Sequence, residues 1–239
     1  MEYFRDIDGQ IQADIAYRLG RIILQYESLS LNPKQRFEST LYLAVLQNML
    51  TNCIELLNSL SSRERKENFI FNGSIENENI FNLRPNQIIQ NTFVEEMSCE
   101  KIIRHIRNAL SHPTQLDINS ELCSTGYNTI ANERNVISEY CFVDSPDTKE
   151  NRLKIYNQKE DALRLIQREK NIPKDIMIVN TKNGGYKFEI DGKDYARIIK
   201  IVLSTNELRN LTLGLCTYLA QPIQTNWNGL TIKLDIIAA

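Results

Sequence analysis

Apolar residues in the first half of the chain recur with the period of an α-helix. Over residues 7–26 they lie three and four positions apart, which places them on one face of a helix. Asn32-Pro33 is a helix-start signal, and the pattern after it predicts a long helix to about residue 60. Because this second helix is apolar on more than one face, we expect it to be the central helix of a bundle. A third helix is predicted near Pro85.

The fourth predicted helix ends at His112. It begins at about Thr92 or Ser98, because Thr92 and Glu95 have the spacing of a capping box. Pro113 stops the helix at the other end, since the residue before a proline disfavours the helical conformation.

Strand patterns appear in the second half of the chain. Residues 126–131 and 136–143 alternate as the two strands of a hairpin around Asn132. The other elements predicted here are a charged helix over 158–170, a hairpin over 175–190 that turns at Asn183-Gly184-Gly185, and a closing helix over 194–220. We therefore predict a mainly α fold, a helical bundle with a small antiparallel β elaboration in the second half.

Length and composition favour one ordinary globular domain. The 239 residues are 42% hydrophobic and 24% charged, which excludes collagen-like and intrinsically disordered chains. We expect a single domain over 1–239, with its helical core at about 1–118 and 193–222 and a β-containing insertion at about 121–191. There is neither a signal-peptide pattern nor an apolar run of about 18 residues. The expected location is the cytoplasm, without a membrane partner.

Charge and cysteine content narrow the chemistry. Lys and Arg number 28 against 30 Asp and Glu, so a strongly basic coat for nucleic acid is excluded, whereas a local basic patch is not. The five cysteines are scattered without Cys-x-x-Cys spacing, and we expect them to be reduced and packed as small hydrophobic residues. No cluster of Asp, Glu, His or Cys has the spacing of metal ligands, so neither a metal nor a cofactor is expected.

The segment from Cys99 to Pro113 contains both histidines of the chain. On a helix with about 100° per residue, its polar and apolar residues separate into two arcs. The apolar arc holds Cys99, Ile102, Ile103, Ile106, Ala109 and Leu110, and the polar arc holds Glu100, Lys101, Arg104, His105, Arg107, Asn108, Ser111 and His112. A divided helix of this kind is typical of any protein surface, so the residue types on the polar arc must carry the argument.

The order of those residues resembles a known signature. Arg107-Asn108-Ala109-Leu110-Ser111-His112 is similar to the Arg-x4–6-His motif of the HEPN superfamily (higher eukaryotes and prokaryotes nucleotide-binding domains), in which a polar residue often follows the Arg. The flanking phrase from Ile103 to Pro113 and the upstream segment 37–48 resemble a bacterial, plasmid- and genome-encoded branch of that superfamily. The resemblance implies a helical bundle that dimerises and cleaves single-stranded RNA without metal. It also implies service as a toxin or in antiphage defence, with a cognate antitoxin or defence-system partner.

Attack by a ribose 2′-OH on the adjacent phosphate requires a proton acceptor, a proton donor and a cation. Arg107 offers a fork-shaped cation for a phosphate, and His112 can take or give a proton near neutral pH. Asn108 can orient the imidazole or hold the phosphate. Because one chain has a single His at the motif position, a homodimer would bring two together. The predicted catalytic residues are Arg107, Asn108 and His112.

The other polar residues are assigned weaker roles. The candidates for RNA binding are Lys101, Arg104 and Ser111, and each is also compatible with an ordinary solvated surface. Glu100 is expected to pair with Arg104 or Arg107, and His105 is expected to be structural. Two alternatives stay open. One is a non-catalytic HEPN module that binds RNA, a nucleotide or a partner protein, and the other is a structural helical dimer in which the motif is accidental.

Overall fold

The computed structural model describes residues 10–29, 37–52, 73–93, 98–111, 125–134, 136–149, 152–168 and 172–226. These residues form the helices α1 (Gln10–Glu27), α2 (Glu38–Asn52), α3 (Cys99–Ser111), α4 (Lys159–Arg168) and α5 (Thr205–Asn226). They also form the strands β1 (Ile88–Asn91), β2 (Gly126–Ala131), β3 (Ile137–Asp144), β4 (Thr148–Lys149), β5 (Arg152–Leu153), β6 (Met177–Asn180), β7 (Tyr186–Ile190), β8 (Lys193–Tyr195) and β9 (Ile199–Ser204).

The chain divides into two compact units. The first unit is Met1–Leu83 with Ser204–Ala239, and the second is Arg84–Leu203. In the first unit α1, α2 and α5 pack on one another around buried side chains such as Ile23, Leu46 and Leu211. At Gly214 of α5 a Cβ atom would lie 2.3 Å from the backbone oxygen of Ile80, so only glycine permits this close approach.

The second unit contains two antiparallel sheets and a short two-stranded ribbon. The larger sheet has the strand order β1-β9-β3-β2, and α3 packs on β2 and β3. The smaller sheet has the order β6-β7-β8 and is covered by α4 through Ala162 and Phe188, and β4 pairs with β5. The unit therefore presents α3 on the face of a sheet.

The predicted fold class is wrong. The described residues form five α-helices and nine strands, which is a mixed α/β composition and not a mainly α bundle. Two of the strands that the sequence analysis did not identify, β1 and β9, join the β2–β3 hairpin in one sheet. The strands are thus a layer that supports α3 and not a small elaboration of a bundle.

Two local predictions fail for identifiable reasons. The helix expected near Pro85 is a single 3-10 turn, Pro85–Gln87, followed by β1. The closing helix begins at Thr205 and not at residue 194, because 199–204 alternates between buried and half-buried positions as a strand does. Ser204 and Glu207 form a capping box at the true start: Glu207 N–H donates to Ser204 Oγ (3.3 Å) and Ser204 N–H donates to the Glu207 carboxylate (2.8 Å).

Several local predictions are confirmed. The first helix, the charged helix at 159–168, and the hairpins around Asn132 and Asn183-Gly184-Gly185 are all present. Gly184 and Gly185 have φ values of 81° and 97°, a conformation that favours glycine. The predicted second helix is described over 38–52, and its remainder to residue 60 lies outside the described residues. No helix within the described ranges is both long and apolar enough to cross a membrane.

A charged cluster joins the three helices of the first unit. Arg209 of α5 donates through Nη2 to Glu27 Oε2 (2.7 Å), and Tyr42 of α2 donates to Glu27 Oε1 (2.6 Å). Burial raises the pKa of Glu27, but the hydrogen bonds from Arg209 and Tyr42 lower it, and the net pKa lies below its usual value. Burial and the bond to Glu27 raise the pKa of Tyr42.

We expect Glu27→Gln to lower the free energy of unfolding at pH 7 by about 1–2 kcal/mol, because glutamine has no charge and has one acceptor oxygen in place of two. A depressed folded-state pKa contributes stability above the unfolded pKa of about 4.3, and this contribution is lost as the pH falls through the folded pKa. The gap between variant and parent should therefore narrow below that pH in urea titrations. Glu133→Gln in the exposed β2–β3 turn is the matched control, and a gap that is constant with pH would contradict the assignment.

Candidate active site on helix α3

Helix α3 is fixed by its cap and its apolar face. Ser98 Oγ accepts a hydrogen bond from the backbone N–H of Lys101 (3.3 Å), so Ser98 and not Thr92 caps the helix. Thr92 instead bonds to Ile198 through its hydroxyl and backbone groups. All six residues of the predicted apolar arc are buried, namely Cys99, Ile102, Ile103, Ile106, Ala109 and Leu110, which confirms the assignment of the faces. The polar arc is consequently held in a defined orientation.

The predicted site residues of the polar arc have different environments. Arg107 is half-buried, and within the described ranges its Nε atom is buried without a hydrogen-bond partner. Arg104 is exposed and donates to Glu100 at 2.7 Å, which confirms the expected pairing. Lys101 is half-buried and Ser111 is exposed. The predicted catalytic residue His112 lies outside the described residues.

Asn108 and His105 meet a third residue that the sequence analysis missed. Asp144, at the end of β3, is 4% exposed, and its Oδ2 atom lies 2.7 Å from His105 Nδ1 and accepts from Asn108 Nδ2 at 2.9 Å. Thr125 Oγ1 lies 3.4 Å from the other oxygen of this carboxylate. Asn108 is thus bound to Asp144, whereas the sequence analysis assigned its side chain to His112 or a phosphate.

A second ion pair holds the turn that follows Asp144. Arg197 donates to Asp147 through Nε (2.8 Å) and Nη2 (2.9 Å), a bidentate arrangement that favours one geometry. Its backbone N–H also donates to Asp147 at 2.9 Å, and Ser145 Oγ donates to the Arg197 carbonyl at 2.8 Å. Because Asp144 and Asp147 flank the same turn, these bonds also fix the position of the Asp144 carboxylate.

An aromatic ring covers the histidine of this cluster. The ring centroids of Phe93 and His105 are 5.0 Å apart, and the guanidinium carbon of Arg197 lies 5.4 Å from the Phe93 centroid. The ring contact limits rotation of the imidazole about its own bonds, and 17% of the His105 side chain stays exposed. His105 is therefore held by a hydrogen bond at one nitrogen and by packing on its face.

Sequence signals for this cluster existed but were weak. Asp144 follows the buried residues Phe142 and Val143 at the end of a strand pattern, where a carboxylate needs a hydrogen-bonding partner. The sequence cannot name that partner, since Asp144 and His105 are 39 positions apart and meet only when α3 packs on the sheet.

Three of the five cysteines lie in the described ranges. Cys99, Cys141 and Cys216 are thiols and not disulfides, and burial raises the pKa of Cys99 to about 11, so the Cys99 thiol is unreactive at neutral pH. Cys53 and Cys123 lie outside the described residues. Among the residues that the structure describes, no group of three or more His, Cys, Asp or Glu side chains could hold a metal ion.

No family model, curated protein or solved structure matches the chain. The geometry of α3 and the motif that begins at Arg107 are therefore the features that point to a function.

Proposed function

We propose that the chain is a metal-independent endoribonuclease that cleaves single-stranded RNA at the polar face of α3. The observation that carries the proposal is the state of Arg107. Its Nε atom is buried and has no acceptor among the residues that the structure describes, although a guanidinium N–H normally has one when it is removed from water. A phosphate oxygen is a suitable acceptor for this group, because the guanidinium fork matches phosphate geometry.

Each residue of the polar face has a separate role in the proposed reaction. Arg107 stabilises the negative charge that develops on the phosphate as the 2′-oxygen attacks. His112 transfers a proton, and Arg104 and Lys101 bind the RNA backbone, with Ser111 at the exposed end of the helix. Asn108 acts as a positioning residue here, since its amide nitrogen donates to Asp144. No cofactor takes part in this scheme.

The wider role follows from the motif resemblance. We place the enzyme in the cytoplasm as a homodimer that acts as a toxin or in antiphage defence, controlled by a cognate antitoxin or a defence-system partner. With a formal net charge of −2, the chain must attract RNA through local cations. A dimer that juxtaposes two copies of α3 would double the local concentration of Lys101, Arg104 and Arg107.

A second candidate has one observation in its favour. Because Asn108 bonds to Asp144 and does not point to solvent as a free amide, the motif is also compatible with a non-catalytic module that binds RNA, a nucleotide or a partner protein. Such a module would bind single-stranded RNA and leave its length unchanged.

Cleavage in the presence of a chelator separates the two candidates. We expect the purified protein to cut a labelled single-stranded RNA at the same rate with and without excess EDTA, because proton transfer and the Arg107 cation require no metal. The measurement is the initial rate of product formation, with Arg164→Ala, an exposed cation of α4, as the control variant. Loss of cleavage on chelation with rescue by a divalent cation would refute the mechanism, and binding without cleavage would favour the second candidate.

A further inference from the structure

The pair formed by His105 and Asp144 has an arrangement that the proposed function does not use. A buried carboxylate lies 2.7 Å from one nitrogen of an imidazole, and the other nitrogen, Nε2, is neither buried nor hydrogen-bonded within the described residues. An ionised carboxylate can only accept hydrogen bonds, so His105 must carry its proton on Nδ1. In the neutral imidazole this leaves the lone pair on Nε2, the atom without a partner.

Further hydrogen bonds orient the Asp144 carboxylate. Asn108 donates to the same oxygen that faces His105, and the hydroxyl of Thr125 lies 3.4 Å from the second oxygen. These contacts hold the carboxylate in one orientation toward His105. The packing of His105 on Phe93 fixes the ring plane as well, so the direction of the Nε2 lone pair is set by the fold.

We infer that His105 is the proton acceptor of the active site and that Asp144 is its positioning residue. This inference rests on the proposed function. A base oriented through its second nitrogen by a buried carboxylate is a recurring solution to nucleophile activation. Under this assignment one chain supplies two histidines with different tasks, His105 as the base and His112 as the acid.

The step balances without another reactant. His105 Nε2 takes the proton of the 2′-OH while the 2′-oxygen forms a bond to the adjacent phosphorus. The bond from phosphorus to the 5′-oxygen breaks, and that oxygen takes the proton that the proposed function assigns to His112. The products are a 2′,3′-cyclic phosphate and a 5′-hydroxyl, and no water is consumed. The imidazolium formed on His105 lies against the Asp144 carboxylate, which stabilises it.

The residue replacement that tests this is His105→Asn. The Nδ1 atom of histidine and the Nδ2 atom of asparagine are both bonded to Cγ. Asparagine therefore retains a donor toward Asp144 but has no nitrogen with a lone pair at the position of Nε2. We expect its single-turnover cleavage rate to fall by roughly 10²- to 10⁴-fold, the range for removal of a general base, while RNA binding is retained. Asp144→Asn should also lower the rate with little change in binding, because an amide can donate to Nδ1 and favour the wrong tautomer.

A spectroscopic measurement tests the tautomer without any need for cleavage. The chain has two histidines, so in the His112→Ala protein His105 is the only one, and its ¹⁵N spectrum can be assigned directly. We expect the Nδ1–H tautomer in this protein and a shift toward the Nε2–H tautomer when Asp144→Asn is added. This measurement uses proteins that retain His105, so it can be made even if His105→Asn does not fold.

The outcomes separate the two proposals. Cleavage by His105→Asn at the parent rate, or an Nε2–H tautomer in the protein with Asp144 intact, overturns the role of His105 and leaves the ribonuclease proposal standing. If the parent protein and the Arg164→Ala control both fail to cleave RNA, the proposed function fails and the inference fails with it. A large loss of rate in His105→Asn, with RNA binding and the Nδ1–H tautomer retained, supports both.

Discussion

Arg107→Ala is expected to reduce RNA cleavage by roughly 10²- to 10³-fold, the loss that follows removal of one group that stabilises transition-state charge. Loss of the Nε atom should not destabilise the fold, because among the described residues this atom makes no hydrogen bond that the substitution would break. A buried polar group without a partner lowers the stability of the fold, and the substitution removes such a group. The expected result is therefore an inactive protein with an unchanged melting temperature.

Two further variants sharpen this measurement. Arg107→Lys keeps the charge but not the planar fork, so we expect it to recover only part of the rate. Arg164→Ala removes an exposed cation of α4 and should cleave RNA as the parent does. Single-turnover rates for all three variants are the measurement. Parent-like cleavage by Arg107→Ala would remove Arg107 from the mechanism.

His112→Ala is expected to abolish cleavage, since the leaving 5′-oxygen then has no proton donor. His112 lies outside the described residues, so thermal unfolding of the variant must be measured beside its activity. If His112 is the acid, the variant should bind single-stranded RNA with the parent affinity. Full activity in His112→Ala would refute the assignment, and a melting temperature lowered by several degrees would indicate a structural role.

Mixing experiments with the same variant test the homodimer. If each site requires the motif from both protomers, an excess of His112→Ala should suppress the parent activity through mixed dimers. Mixing His112→Ala with Arg107→Ala should restore part of the activity if one Arg and one His suffice. Sedimentation must show a dimer at the assay concentration, and an active monomer would contradict this model of the site.

The amphipathic pattern of α3 could be predicted from its sequence, and the contacts of its polar face could not. Burial follows the 3.6-residue period, so Cys99, Ile103 and Leu110 were identified by spacing alone. The bond from Asn108 to Asp144 depends on how a sheet and a helix pack, which is a long-range property. Local patterns therefore identified the helix correctly but did not identify Asp144 as a partner of Asn108.

The error in fold class arose at β1 and β9. Residues 199–204 contain β-branched residues in strand alternation, but they adjoin a true helix and were absorbed into its pattern. The capping pair Ser204 and Glu207 was the available signal for the boundary. β1 is four residues long and follows Pro85–Gln87, so its pairing with β9 could be established only by tertiary structure.

The pairing of β1 with β9 has a consequence for how the second unit is connected. Asn91 lies opposite Ile199 and Ile88 lies opposite Ile201, so the first and last strands of Arg84–Leu203 are antiparallel neighbours about 5 Å apart. The chain therefore enters and leaves this unit at adjacent points, the geometry in which one domain is inserted into a loop of another. A gene rearrangement could move this segment into a new host protein through two junctions that are one strand spacing apart. The transferred segment would contain His105, Asp144 and the residues that orient them.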